Sequence, residues 1–465
     1  MPKKYAIHTK PTPHRFKAIT PSGIIAWEEG CLKCAVCVKK RCVYKVYDQR
    51  SLDPRQMVDS IDNQCMNCLR CVQGCPKELI HKSSSPEFKS LGDRHWTPDI
   101  ITRLWYQSET GKIPVSGAGY PGPFSGEGFD AMWTDMSEIV RPTRDGIHGR
   151  EYISTGVDLG KTPRHLVFDE QGDLLSRVPE FVDIPIPILM RVPSFGSIGE
   201  DTMKGWAMAA KRLGTFLSAP AHLLKKSLDR YRAHFMPGLP DGPVKSERNF
   251  KGFRLVEISW SEDWDERLKA LRKQAPSTLV AVHLPMDKSA KQKALALARA
   301  GVSIIHLEAS YGGRAVDDES TTMKDVLRSV HRTLIDEGIR DEMTLLASGG
   351  IAMAEHVAKA ILCGADAVVI DFPILIALEC RMCRRCASGL SCPVEIEKAT
   401  PVWVASRVYN LFGAFHNQLL ELMGAMGIRD ARRLRGEVGR AMFFEELDRP
   451  VFGTLGEVKE GYELE

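Results

Sequence analysis

Between Leu345 and Pro393 the chain reads LLASGGIAMAEHVAKAILCGADAVVIDFPILIALECRMCRRCASGLSCP. A short apolar run, Leu345–Ala347, meets Ser348-Gly349-Gly350, and a segment with Val357, Ala360 and Ile361 at helical spacing follows. Gly364 stops it, and a second apolar run covers Ala367–Ile370. Four cysteines then fall within thirteen residues: Cys380, Cys383, Cys386 and Cys392. The order is strand, glycine turn, helix, strand, then a cluster of metal-ligand residues.

Working back from this stretch, short apolar runs alternate with helical ones from Val182 onward. FVDIPIPILM leads into Ser194-Phe195-Gly196-Ser197, and Glu200–Leu213 has a helical pattern. Leu255–Ile258, Thr278–Leu284 and Val302–Leu307 are further strand candidates, and the segments after Asp263, Asp287 and Thr322 are helical. A weak strand at Thr215–Leu217 makes seven, and an eighth fits within Arg232–Leu239. Alternation of this kind predicts an α/β fold in which eight parallel strands close a (β/α)8 TIM-type barrel over residues 181–400. An open doubly wound sheet is disfavoured, because no dinucleotide turn follows the first strand. Val402–Phe444 reads as amphipathic helix with Leu419, Leu420, Leu422 and Met423 on its apolar face, giving a helical tail over 401–465.

Upstream, eight of the thirteen cysteines lie between Cys31 and Cys75, and only Cys363 stands alone. Cys31, Cys34, Cys37 and Cys42 form one run, and Cys65, Cys68, Cys71 and Cys75, followed by Pro76, form another. Three thiolates at i, i+3 and i+6 wrap one face of a cuboidal iron–sulfur cluster, while the fourth ligates the other cluster. The expected ligand sets are Cys31, Cys34, Cys37 with Cys75, and Cys65, Cys68, Cys71 with Cys42, in two 4Fe–4S clusters of a bacterial ferredoxin-like domain over 1–95. Zinc favours paired C-x2-C knuckles over such triplets. Cysteine clusters this far apart also read as metal ligation in a reducing compartment rather than a disulfide framework.

Residues 1–30 read as an extended lead-in and 82–110 as a polar connector, with a connector over 96–180 wrapping the barrel. Gly117, Gly119 and Gly122 match G-x-G-x-x-G, but Pro121 and Pro123 sit in the turn and no strand runs into it. The match is read as a loop. A net charge of +4 over 465 residues, with no basic stripe, excludes nucleic acid as an expected partner. The longest apolar run, Ala365–Leu378, is interrupted by Asp366, Asp371 and Pro373, so no membrane span is expected. The N-terminal stretch has no apolar core of a secretory signal, so a cytoplasmic location is expected.

With these residues in view, the chain resembles the FMN-binding synthase domain of the glutamate synthase family, in its stand-alone form fused to a ferredoxin module. The landmarks are Ser194-Phe195-Gly196-Ser197, Gly312-Gly313, Ser348-Gly349-Gly350, Ala377-Leu378-Glu379-Cys380, Cys386 and Cys392-Pro393-Val394, and then Val408-Tyr409-Asn410. The resemblance implies eight strands and eight helices, with FMN at the C-terminal ends of the strands held by the first three landmarks. In such barrels the phosphate sits on turns after strands seven and eight. Cys380, Cys386 and Cys392 match the family's cluster cysteines, and Cys383 is additional. With four thiolates the C-terminal centre is expected to be 4Fe–4S, with 3Fe–4S as the alternative.

Several family positions differ. The turn after the second strand reads Ser218-Ala219-Pro220-Ala221-His222, the strand-five lysine is His283, Ser310-Tyr311 precede the glycine pair, and the strand-eight turn is Asp371-Phe372-Pro373. No cysteine follows Met1, so glutamine hydrolysis is not expected. His283, Glu308 and Arg314 fall at predicted strand ends, where barrel enzymes place their chemistry, and are the catalytic candidates. The expected function is an iron–sulfur flavoprotein oxidoreductase that exchanges electrons with ferredoxin or another redox subunit and reduces an imine or related small molecule. The alternatives are an electron-transfer subunit of a larger redox complex and a non-catalytic scaffold.

Overall fold

The computed structural model describes residues 5–16, 19, 22–26, 30–32, 34, 36–43, 68–113, 128–134, 153–162, 166–175, 180–242, 250–437 and 440–443. Eight parallel strands close a barrel: β1 (Ile188–Arg191), β2 (Leu217–Pro220), β3 (Phe235–Leu239), β4 (Leu255–Ser259), β5 (Leu279–Pro285), β6 (Ile304–Glu308), β7 (Thr344–Ser348) and β8 (Ala367–Ile370). Closure is made by β8 against β1, with Val368 opposite Ile188 and Ile370 opposite Met190. These strands are buried on both faces, as β7 and β8 are at every residue, which is why they read as unbroken apolar runs rather than alternations.

The predicted second strand is shifted. Thr215 is the turn before β2, its hydroxyl donating to the Ile188 carbonyl at 2.6 Å, and the strand begins at Leu217. β3 lies inside the predicted Arg232–Leu239. Eight helices do not follow the strands, however. Between β2 and β3 there are only 3-10 turns, Ala221–Leu223 and Lys226–His234, and no helix follows β3 among the described residues. The remaining helices pack outside the barrel.

Residues 82–110 are not simply a connector. They contain α1 (Pro98–Thr110), opened by the Thr97 cap with Pro98 in its first turn and burying Ile100, Ile101, Leu104 and Trp105. The barrel helices are α2 (Glu200–Leu213), α3 (Trp264–Gln274), α4 (Ala290–Arg299), α5 (Met323–Asp336), α6 (Ala354–Leu362) and the five-residue α7 (Phe372–Ile376). The tail is α8 (Pro401–Ala425), which ends before Gly427 at φ +71° rather than running to Phe444. Leu419 and Met423 are buried, whereas Leu420 and Leu422 are half-buried. α8 crosses α2 so closely that a Cβ on Gly205 would lie 2.5 Å from Val404.

The lead-in is a strap over the barrel. Arg407, wholly buried on α8, donates to the carbonyls of Ala377, Thr12 and Trp105. Asn410 Nδ2 reaches the carbonyls of Lys10, Ser108 and Glu109 at 2.8, 3.1 and 3.1 Å. Asn410→Leu would remove the donor from these acceptors, of which that of Ser108 is buried, and is expected to cost about 2 kcal/mol in urea unfolding, with earlier proteolysis within residues 10–16. Separately, Ser22–Ala26 pairs antiparallel with Ile80–Ser84. Gly74, next to Cys75, sits against the Arg41 side chain, next to Cys42, which brings the ends of the two cysteine runs together. Cys65 and the G-x-G-x-x-G glycines, Gly117, Gly119 and Gly122, lie outside the described residues.

Candidate active site at the barrel mouth

The C-terminal strand ends surround a cavity of about 610 Å³, a size suited to a small organic ligand. Ionisable side chains from four strands line it. Arg191 ends β1, and its Nη1 lies 2.6 Å from Glu308 Oε1 on β6. His283 of β5 contacts the other Glu308 oxygen. Register explains the pairing, since His283 lies opposite His306 and Pro285 opposite Glu308, so the end of β6 stands just above His283.

One layer below, His306 Nδ1 lies 2.6 Å from Glu257 Oε1, and its Nε2 lies 2.7 Å from Ser348 Oγ. Burial lowers the His306 pKa, so the neutral ring donates from Nδ1 to Glu257 and accepts from Ser348. Ser218 on β2 donates to Glu257 on β4 at 3.4 Å, across β3, because Gly238 lies between them without a side chain. Burial would raise the Glu257 carboxyl, but His306, His283 and Arg191 outweigh it and hold it at about 2. Glu308 is likewise held well below its ordinary value by His283 and Arg191 against the opposing effect of burial.

Asp371, after β8, is different. Burial pushes its pKa up to about 6, against the Phe372 N–H and Arg191, which lower it. Among the described residues, the mouth therefore sets one guanidinium against three carboxyl groups. Above it, Tyr311 donates to Asp93 at 2.7 Å and packs edge-on to Phe372, which also packs on Phe195 at 4.9 Å and on Trp96 at 5.5 Å. Arg384 lies 4.3 Å over the Tyr311 ring and comes from the four-cysteine loop. The mouth and that loop share one wall.

The structure thus brings His283 and Glu308 together, with Arg191 as a third member that sequence reading missed. It places Arg314 elsewhere: Arg314 lines a second cavity, of about 630 Å³, between the turns after β6 and β7. Ser194 lines the mouth, Phe195 is in its aromatic wall, and Gly196 packs on Leu375; Ser197 is half-buried in the following turn. Gly312 and Gly313 line the second cavity, while Ser348 is buried on His306. Gly349 and Gly350 adopt φ +91° and +66°, and a Cβ on either would meet backbone of the turn after β6 at 2.2 or 2.3 Å. Arg191, Glu257 and His306 were legible only as polar interruptions of apolar strands.

The mouth accommodates the ring end of a flavin by size and polarity. The phosphate end does not fit the turn after β8, where Asp371 already accepts the Phe372 N–H at 2.6 Å and presents a carboxyl group.

No disulfide joins the described cysteines. Among the described residues no three His, Cys, Asp or Glu side chains are gathered as a ready metal site. The donor chemistry still suits iron. Cys380 shares its loop with Cys383, Cys386 and Cys392, its Sγ accepts the Met382 N–H at 3.4 Å, and Cys75 Sγ accepts the Leu79 N–H at 3.4 Å. Such N–H···S bonds are among the features that set cluster potentials. Glu379, Met382 and Arg384 all adopt positive φ, a concentration of backbone strain in the loop carrying these thiols. Cys363 is buried against Met132, as a small apolar residue would be.

Residues 253–429 match the conserved region in glutamate synthase. The archaeal-type glutamate synthase [NADPH] of Dehalococcoides mccartyi is 25% identical over 487 residues, covering 90% of this chain and 95% of that one. The archaeal glutamate synthase [NADPH] of Archaeoglobus fulgidus is 25% identical over 498 residues, covering 92% and 96%. The glutamate synthase [NADPH] large chain of Azospirillum brasilense is 25% identical over 201 residues, 40% of this chain and 13% of that one. With similarity that spans nine-tenths of its length and a matched family region containing β4–β8 and all of α8, the chain fits a member of the glutamate synthase family.

Proposed function

We propose that this chain is an iron–sulfur flavoprotein oxidoreductase of glutamate-synthase type. In this reading it passes electrons between two N-terminal 4Fe–4S clusters, a C-terminal cluster and FMN, receives them from ferredoxin or another redox subunit, and reduces an imine or similar small molecule. The observation that carries it is the mouth cavity, with His283, Glu308 and Arg191 inside and a wall of Tyr311 and Arg384 that it shares with the four-cysteine loop. A bound flavin supplies two-electron exchange with an organic molecule and one-electron exchange with iron–sulfur centres. The chain's own part is to orient. Arg191 fixes Glu308, Glu308 fixes the His283 ring, and the ring presents its remaining nitrogen for proton transfer.

A second reading has a specific motive. The three carboxyls of the mouth would repel a dicarboxylate such as 2-iminoglutarate, and Arg191 is already engaged by Glu308. This favours either a different substrate or an electron-transfer subunit without synthase activity over a strict glutamate synthase. The division into a ferredoxin-like domain over 1–95, a connector over 96–180, a barrel over 181–400 and a tail over 401–465 belongs to the same proposal. So does a cytoplasmic location. No helix among the described residues is long and apolar enough to cross a membrane.

Cofactor content of protein purified anaerobically tests this reading. Three cubane clusters mean about twelve iron atoms per chain, with FMN released by acid. Cys68→Ser is expected to lower iron by about four atoms while leaving the flavin in place. About eight iron atoms in the wild type would remove the C-terminal 4Fe–4S centre. Dominant zinc would remove the ferredoxin reading, and a flavin-free protein would leave only the scaffold.

A further inference from the structure

We propose that the cavity between the turns after β6 and β7 binds a phosphate monoester, with His356 Nε2 as its buried donor. His356 Nδ1 accepts the Ala352 N–H at 3.2 Å, so in the neutral ring the proton must reside on Nε2. Burial, with a smaller contribution from Lys359, pushes the His356 pKa down to about 3 and keeps the ring neutral. That Nε2–H is buried, has no hydrogen-bond partner among the described residues, and belongs to a residue lining a cavity of about 630 Å³. Its nearest acid, Asp130, is at 4.0 Å, beyond hydrogen-bond reach. The ring is held there by Phe129, 5.4 Å away. A buried donor left unpaired at a cavity wall is a position a ligand oxygen would satisfy.

The remaining lining selects the class of ligand. Arg94, Arg314 and Lys324 supply cationic groups beside the acids Asp130 and Glu319; Glu319 is within 3.7 Å of Arg94, and Lys324 donates to Asp325 at 3.1 Å. Gly312-Gly313 and Gly349-Gly350 expose backbone without side chains along one wall. Cations, a neutral N–H donor and bare backbone on different sides suit a tetrahedral oxyanion.

Two sources offer that chemistry. Tyr311 and Gly349 line both cavities, so a flavin with its ring at the mouth could direct its own phosphate here, past the turn after β8 that Asp371 occupies. This source rests on the flavin reading proposed above. A separate phosphorylated metabolite does not.

The test uses the full chain, wild type, His356→Phe and Arg314→Gln. His356→Phe keeps the packing against Phe129 and removes the donor, though it also strands the Ala352 N–H. Arg314→Gln, at a half-buried position, leaves His356 intact and guards against a folding defect. The readouts are calorimetric titration with inorganic phosphate and the affinity of FMN relative to riboflavin. Phosphate binding weakened about tenfold by His356→Phe and severalfold by Arg314→Gln supports the site. If the flavin supplies the phosphate, the FMN preference falls in both variants and FMN-loaded protein no longer takes up inorganic phosphate. If a separate metabolite does, FMN-loaded protein still binds phosphate and the FMN preference is unchanged. Phosphate binding without any flavin binding would end the flavin reading and leave this site standing. Unchanged phosphate affinity and unchanged FMN preference in both variants, or no phosphate binding and no FMN preference in the wild type, would overturn the site.

Discussion

Replacing Arg191 with methionine is expected to destabilise the barrel by about 3–5 kcal/mol, seen as a lower urea midpoint at pH 7. Among the described residues lining the mouth, the guanidinium is the one arginine or lysine head group, and it faces Glu308 at 2.6 Å with Glu257 and Asp371 also acting on it. Methionine retains much of the volume but leaves the carboxyl groups uncompensated, which is the costly way to break a partly buried pair. Adding Glu308→Gln should recover part of the loss, because the two side chains are coupled. Equal midpoints for wild type and Arg191→Met would mean that the mouth is not held by this charge.

The pH dependence follows from the directions of the shifts. Glu257 is held at about 2, below its ordinary 4.5, so its contribution to stability is present above 4.5 and is lost as pH falls toward 2. Glu308 behaves in the same sense. Asp371 has the opposite sign: raised from 3.8 to about 6, it contributes stability below 3.8 that is lost as pH rises through 6. The deficit of Arg191→Met should therefore shrink below pH 4.5. Asp371→Asn should flatten the fall in stability between pH 4 and 6. Unfolding curves at stepped pH distinguish the two effects, and a deficit that grows with acidification would contradict the assigned charge states.

The second large effect is expected at Gly349. An alanine Cβ there would lie 2.2 Å from the Ala309 carbonyl oxygen, on a backbone already at φ +91°. Strain at positive φ and a clash against main chain act together, and a cost of about 2–4 kcal/mol is expected. Gly172, at φ +86° with nothing among the described residues within 4 Å of a Cβ, is the internal control: Gly172→Ala bears the strain alone, about 1–2 kcal/mol. Since Gly349 lines both cavities, its replacement should also disturb ligand binding in each. If the two alanine variants unfold at the same urea concentration, the close approach of the two turns is not what requires the glycine.

The sequence by itself determined the barrel and most of its segments. Leu345–Ala347 and Ala367–Ile370 are buried on both faces, so burial leaves a direct trace as apolar runs. Helices α2 to α6 were legible from periodicity. α1 is less legible although Thr97-Pro98 is an ordinary start signal, because the serine run ahead of it is polar and carries no apolar period. His283 and Glu308 were found by their place at strand ends. Arg191, Glu257 and His306 were not, because periodicity reports how deeply a position is buried and not which buried position it faces. Those pairings depend on register around a closed barrel, where Gly238 opens the line from Ser218 to Glu257 and the end of β1 meets that of β6 across the mouth. The same holds for Asp371, whose pKa is shifted by burial and by neighbours from β1 and β6, and for His356, whose tautomer is decided by one backbone N–H in the turn before it.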